Sequence, residues 1–409
     1  MFGPPRHSPI TIQELPYELL LQIGAHFTHL DRNWDLAQLA LVSKVWREVA
    51  QVWLLKAPRF SLTYIDKYLW ELGHHEHLQP QVKTIEIWSR SANRIPKDQI
   101  GTQRFGYVAT PAPPNWNSDF LPTCKKIINT TNSESKTQWE KALHEDCISA
   151  LFGVLLCTLP NLRELRLGNA WLMDFSIFWS LQSPYVASSS TFVPSAWKNQ
   201  FLEEALAGLL PKLEILEVPA DMSRLYFHRT PTILDFRRFA SLKEVGITMK
   251  ALWWHPSLTR NPPPDPREVF PPTLELLRIS EAGLSKHVMA LVQNMRLAKS
   301  GGHFPALRRI EVYFMEALEL DWDDEDGDTC ERFYRRFYDA GFAVYLLWPA
   351  YELKIWEVEE TPWRLKEDHE RYERAQRKVF RNAMGAFGVE SGWTQTVEAE
   401  WDEDGDIVM

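Results

Sequence analysis

The chain has 409 residues, 45% of them hydrophobic and 24% charged, an ordinary balance for a globular protein that buries one large core or several smaller ones. With 45 Lys and Arg against 54 Asp and Glu the net charge is −9, which argues against the phosphate attraction on which nucleic-acid binding rests. The uncharged runs near 150–157 and 340–351 fall short of the roughly 18 to 20 apolar residues that span a bilayer, so neither nucleic acid nor membrane is an expected partner. The opening MFGPPRHSPI has neither the basic nor the apolar region of a secretory signal. Four cysteines, none spaced as CxxC, exclude a disulfide framework, a zinc ribbon and a thioredoxin-type pair, and a reducing intracellular compartment, cytoplasmic or nuclear, is expected.

The first predicted elements are three short helices within residues 15–54. Leu15 and Pro16 open the first, because proline in a first helical turn gives up only an N–H that has no partner there. Leu19, Leu20, Ile23 and Phe27 follow at spacings of three and four and form one apolar face. Asp35 is the expected cap of a second helix carrying Leu36, Leu39, Ala40 and Val42. Ser43 is the expected cap of a third, with Trp46, Ala50 and Trp53 along one side. About forty residues make too small a core to cover so much Leu and Trp, so the segment is expected to pack on a neighbour, a partner, or both.

The strings LPYELL and LALVSKVWR in this segment resemble the F-box. The matching residues are Leu15, Pro16, Glu18, Leu19, Leu20 and Ile23, then Asp35, Leu36, Leu39, Ala40, Val42, Ser43, Lys44, Trp46, Arg47 and Ala50, about a tenth of the chain. The resemblance implies a three-helix module, residues 10–56, that docks on a Skp-type adaptor and through it joins a cullin-RING ubiquitin ligase. It further implies that Leu15, Pro16, Leu19, Leu20, Ile23, Leu39, Val42 and Trp46 supply the module's core and its adaptor-binding surface. The alternative is a helical subdomain that caps the rest of the chain.

Beyond residue 57 one string recurs: PQVKTIEI from Pro80, PNLRELRL from Pro160, PKLEILEV from Pro211, ASLKEVGI from Ala240, PTLELLRI from Pro272 and PALRRIEV from Pro305. The alternation at its end predicts a short half-buried strand. Helical spacing precedes several copies: Ile148, Leu151, Phe152, Leu155 and Leu156; Leu202, Ala205, Leu206 and Leu209; Val288, Leu291, Val292 and Met295. Gly301 and Gly302 are placed to end the last of these helices. A further helix and strand are expected between Glu331 and Trp348.

Helix then strand, repeated, predicts parallel strands joined by crossovers of one hand, hence an α/β chain with a curved stack of repeats over residues 57–360. The string resembles a degenerate leucine-rich repeat of the kind found in fungal F-box proteins. Its equivalent aliphatic positions 162, 213, 242, 274 and 307 lie 51, 29, 32 and 33 residues apart, less even than a regular repeat.

Within each string the residue between the paired aliphatics is expected on the sheet's open face: Glu86, Arg166, Glu217, Gly246, Arg278 and Glu311, flanked by Trp88, Glu164, Arg309 and Tyr313. Of these, Trp88, Arg166, Glu217, Arg278, Arg309, Glu311 and Tyr313 are the expected contacts for a protein substrate, because Arg, Tyr and Trp dominate interface hot spots. The plainer alternative is a row of solvated strand residues.

Residues 89–137 and 183–196 are expected to be inserted loops, and 361–409 a charged helix followed by an acidic, disordered tail. The acidic string DWDDEDGD from Asp321 fails the calcium-loop spacing, and His74, His75 and His77 are expected in an exposed loop without further metal ligands. No nucleotide-binding, serine-hydrolase or zinc-protease string is present, so catalysis, cofactor and metal are not expected. The sequence points to a non-catalytic substrate receptor of a Skp/cullin/F-box-type ligase, with a non-ligase repeat scaffold as the second reading.

Overall fold

The computed structural model describes residues 12, 15–27, 32–89, 120–131, 134–144, 148–168, 170–181, 200–220, 234–252, 265–282, 285–314 and 339–349, with short strands after 393. Three helices come first: α1 (Tyr17–Ala25), α2 (Arg32–Val42) and α3 (Lys44–Lys56). Pro16 stands at the N-cap of α1. Ser43 caps α3 as expected, its hydroxyl accepting the Trp46 N–H at 3.3 Å. Asp35 does not cap α2; that helix begins at Arg32 and Asp35 lies inside its first turn, where a carboxylate favours the helix dipole.

Leu20, Trp46 and Val49 form the buried centre of this module, with Leu15, Leu21, Ile23, Leu39 and Trp53 packed around them. The indole N–H of Trp53 donates to the Leu21 carbonyl at 2.8 Å. Gly24 permits this approach of α1 to α3, since a Cβ there would stand 2.5 Å from the Trp53 ring.

Arg32 and Asn33 tie the module to the main sheet. The Arg32 guanidinium donates to the Ala57 carbonyl at 2.6 Å and to the Trp53 carbonyl at 2.5 Å, the latter also accepting the Ala57 N–H that caps the end of α3. Burial depresses the pKa of Arg32, and the neighbouring Arg59 adds to this. The Asn33 amide donates to the Arg59 carbonyl on β1 (Arg59–Ser61). Strand β1 is the edge of the main sheet, and the Pro58 carbonyl just before it accepts the Glu86 N–H at 3.0 Å. The next carbonyl along, that of Arg59, faces outward, so Asn33 covers a group that an open edge would leave for another chain.

The sheet has nine strands in chain order: β1, β2 (Thr84–Trp88), β3 (Glu164–Arg166), β4 (Ile215–Glu217), β5 (Glu244–Thr248), β6 (Leu276–Ala282), β7 (Arg309–Phe314), β8 (Ala343–Pro349) and β9 (Trp393–Gln395). Strands β1 to β8 are parallel and β9 runs antiparallel to β8. Each recurring string supplies one strand, which begins at its fifth residue, and the strings pair in register with one another. One row is therefore Ile85, Leu165, Leu216, Val245, Leu277, Ile310 and Val344, all buried on the core side.

The opposing layer contains α4 (Ile65–His74), α5 (Phe120–Thr130), α6 (Lys136–His144), α7 (Ile148–Thr158), α8 (Gln200–Leu209) and α9 (Ser285–Ser300), whose apolar sides share one core with the sheet. The three helices anticipated from apolar spacing are α7, α8 and α9. Gly302 ends α9 at φ +82°, with the Gly302 and His303 N–H groups bonded back to the Lys299 and Ala298 carbonyls.

Side chains at the second place of the string tie neighbouring copies together. Asn161 donates to the Pro80 carbonyl at 2.8 Å, Lys212 to Pro160 at 2.8 Å and Ser241 to Pro211 at 2.7 Å. These proline carbonyls, lying outside the strand ladders, thus find partners one repeat away.

Three further expectations change. Residues 120–130 and 136–144 were expected as loop up to 137 but are helical; Cys124, Ile128, Trp139 and Leu143 bury a face against the core, and the Trp139 indole donates to the Ala150 carbonyl at 3.0 Å. The tail contributes β9 to the sheet and an antiparallel pair, β10 (Glu400–Trp401) with β11 (Ile407–Val408), so it is not wholly disordered. His74 closes α4 and His77 lies in a 3₁₀ turn, with the His74 and His75 rings bonded to the Trp70 and Glu71 carbonyls. The insertion at 183–196, the acidic string 321–328 and the charged helix at 362–384 lie outside the described residues.

Candidate protein-interaction surface

The eight residues assigned to the first module divide by burial. Leu20 and Trp46 are 1% and 2% exposed, so these two, expected at the adaptor-binding surface, have no surface to offer a partner. Leu15, Ile23 and Leu39 are half-buried around them. Pro16, Leu19 and Val42 are exposed, Leu19 by 43% and Val42 by 58%.

Tyr17, Trp34, Leu41 and Val45, which are not among the residues that carry the resemblance, are also exposed. Among the described residues nine large apolar side chains are exposed, and seven of them, from Ile12 to Val45, belong to this small module; only Tyr64 and Leu297 lie elsewhere. An apolar concentration of this kind is what a monomer's surface avoids unless something covers it. The spacing of seven between Trp34 and Leu41 was legible in the sequence, but reading Asp35 as the cap left Trp34 outside the helix.

The sheet's open face is built differently. In-register pairing aligns Arg59, Glu86, Arg166, Glu217, Gly246, Arg278, Glu311 and Tyr345 in a single row across eight strands. Charge alternates from Arg59 to Glu217, is interrupted at Gly246, resumes with Arg278 and Glu311, and ends at the uncharged Tyr345. Arg59 meets Glu86 at 3.3 Å, Arg166 meets Glu217 at 2.7 Å and its own strand's Glu164 at 3.1 Å, and Arg278 reaches Glu311 at 3.3 Å and Glu244 at 3.4 Å. Glu311 also accepts the Tyr313 hydroxyl at 2.7 Å and pairs with Arg309, whose guanidinium lies 4.1 Å over the Tyr345 ring. Burial alone lowers the Arg166 pKa, but Glu217 and Glu164 raise it on balance, so its charge is held.

This row corrects the expectation of a solvated recognition face. Glu217, Glu311 and Tyr313 are buried, while Trp88, Arg166, Arg278 and Arg309 are half-buried. Opposite charges on adjacent strands neutralise one another across the sheet, which fixes register and leaves little free charge for a partner. The alternation of sign is legible in the sequence; the pairing depends on which strands become neighbours.

A cavity of about 290 Å³ opens where the module meets the sheet, lined by Asn33, Leu55, Phe60, Tyr64 and Tyr68 among others. Its chemistry is mainly apolar: Phe60 stacks on Tyr68, whose hydroxyl donates to the Leu55 carbonyl and whose pKa is raised by burial. The free thiols Cys124 and Cys157 are pushed up to about 12 and about 11 by burial, which keeps them protonated and unreactive at neutral pH. Among the described residues no group of three or more His, Cys, Asp or Glu could hold a metal ion. Likewise no described helix is long and apolar enough to cross a membrane.

Residues 12–55, the helices that carry the exposed apolar cluster, match the F-box-like family. This segment is an F-box-like domain. Domains of this family bind Skp-type adaptors, and the proteins carrying them typically act as adaptors without catalysis of their own. No curated protein and no solved structure gives a match to the chain.

Proposed function

We propose that this chain is a substrate receptor of a Skp/cullin/F-box-type ubiquitin ligase, in which the F-box-like domain docks on the adaptor and the repeat body holds the target. The observation that carries this reading is the crowding of exposed apolar side chains into the F-box-like domain, while the described repeat surface is almost free of them. Pro16, Leu19 and Val42 are its adaptor contacts; Leu15, Ile23 and Leu39 support them from half-buried positions. The body acts as a degenerate leucine-rich-repeat array, with Trp88 and Arg309 at the margin of the charge row as contacts for an unidentified protein substrate. Holding target and activated ubiquitin together accelerates transfer by proximity alone.

The test is affinity capture of the full chain with adaptor and cullin, beside a Leu19→Glu/Val42→Glu variant that changes only exposed positions. Stoichiometric recovery of both partners, lost in the variant, is the expected result. A second reading has its own observation: Arg32 and Asn33 bind the module over the sheet's edge strand, which is what a cap does. Recovery of adaptor without cullin, or of neither, would favour that scaffold.

A further inference from the structure

The cavity in the crease between the F-box-like domain and the sheet plays no part in holding an adaptor or a protein target. Its inner side is apolar and aromatic: Leu55, Pro58 and Tyr68 are buried, and the half-buried Phe60 stacks on Tyr68 with ring centroids 5.0 Å apart. Tyr64, 51% exposed, borders it on the solvent side together with the exposed Lys67 and Glu71. Among the described residues Tyr64 is one of two large apolar side chains exposed outside the first domain, so an aromatic ring stands in water at the edge of an apolar recess.

Asn33 gives the cavity its polar character. The side-chain amide donates to the Arg59 carbonyl, which leaves the Oδ1 acceptor buried with no donor among the described residues. A buried acceptor in that condition is uncommon, and an O–H or N–H on a ligand satisfies it. The charges around the cavity favour neither sign. Arg59 lies 3.3 Å from Glu86, and the Lys67 ammonium, 4.9 Å from the centre of the Tyr64 ring, has Glu71 one turn away on α4. Volume sets the size of the occupant. An apolar cavity of about 150 Å³ takes a benzene ring. At about 290 Å³ this one takes two fused rings.

We infer that this cavity binds a small uncharged two-ring aromatic molecule that carries one O–H or N–H donor. The rings lie against Phe60, Tyr64 and Tyr68, and the donor meets Asn33 Oδ1. Such a ligand touches α2 through Asn33 and the sheet's edge through Phe60, so it binds only while the two are joined and thereby stabilises the joint. The inference is independent of the reading of the chain as a ligase receptor.

The experiment titrates the full chain, by ligand-observed NMR, with 2-naphthol, with 2-methoxynaphthalene, which has the same rings and no donor, and with 2-naphthoate, which is charged. The 2-naphthol titration is repeated with Tyr64→Ala and, as an exposed control away from the cavity, Leu297→Ala. For 2-naphthol a saturable Kd of roughly 0.1 to 1 mM is expected, the scale for a ligand of about eleven heavy atoms. The methoxy compound and the naphthoate are expected to bind about fivefold more weakly or worse. Tyr64→Ala is expected to weaken 2-naphthol about tenfold with melting unchanged, and Leu297→Ala to bind as wild type. Saturating 2-naphthol is expected to slow hydrogen exchange in β1 and the last turn of α3 and not in α8. No saturable binding of 2-naphthol to the folded wild type overturns the inference, as does an affinity that Tyr64→Ala leaves within twofold. Equal or tighter binding of the methoxy compound or the naphthoate overturns the ligand class, and protection confined to other elements overturns the site. Each of these outcomes leaves the receptor reading standing.

Discussion

The F-box-like domain and the repeat sheet handle their surfaces in opposite ways. In the first, charge is sparse on the outward side of α2 and apolar side chains stand in water; in the second, six strands contribute three Arg–Glu pairs to one row, and their opposite charges neutralise one another across the sheet. One region leaves apolar side chains uncovered, whereas the other pairs most of its charges within itself. Function is more readily placed on the first, since uncovered apolar area drives association and a self-paired ion row does not.

Substitutions at the two tryptophans of the first region sharpen this contrast most. Trp46→Ala removes a buried ring and is expected to destabilise the domain by about 3 to 5 kcal/mol, visible as a lower midpoint in chemical denaturation. Trp34→Ala, twelve residues earlier and exposed, is expected to leave that midpoint within about 0.5 kcal/mol of wild type. Equal losses would mean that both rings serve the core and that the outward side of α2 is not free surface.

The joint comes next in size. Arg32→Ala deletes two charge-assisted hydrogen bonds to the Trp53 and Ala57 carbonyls and is expected to cost about 2 kcal/mol. Faster hydrogen exchange is expected in α3's last turn and in β1, with α8 and β4 unchanged. Uniform acceleration would instead indicate one global unfolding unit.

Within the sheet, Glu217→Ala leaves a mostly buried Arg166 with only Glu164, and a loss of about 2 kcal/mol is expected in denaturant melts. The equivalent change at the solvent edge is smaller. Glu214 bridges Arg163 and Lys243, and because these partners are about half exposed, Glu214→Ala is expected to cost under about 1 kcal/mol. A larger effect at Glu214 than at Glu217 would contradict the view that the row is the sheet's organising charge system.

Acid provides the gentlest probe. The hydrogen bond from Lys243, then that from Arg163, hold Glu214 below its ordinary value of 4.5 despite some burial. The folded pKa being the lower one, the stabilisation is complete above 4.5 and disappears as pH falls through the depressed folded value. Glu214→Gln is therefore expected to lose slightly less Tm than wild type on acidification through that window. High salt should shrink the difference.

The range of each interaction decides how much of it was legible in the sequence. The recurring strings gave the strands and their common starting residue, because alternation and the leading proline are local signals. Ser43 as a cap and α7, α8 and α9 as helices were legible for the same reason. The burial of Glu217, Glu311 and Tyr313 was not, since it depends on neighbours 29 to 51 residues away in sequence that the sheet places one strand apart. Arg32 was missed because its partners are backbone carbonyls, which carry no residue signature. Trp34 was missed through a helix start set four residues too late, at Leu36 after an Asp35 cap, where the helix begins at Arg32.

Oxidative footprinting of the full chain, alone and saturated with Skp-type adaptor, tests most directly whether the domain's outer face exists to be covered. Protection of Tyr17, Leu19, Trp34, Leu41 and Val42 on binding, with Tyr64 and Leu297 unaltered, is the predicted result. A stable complex in which those five side chains oxidise as fast as in the free chain would contradict the account.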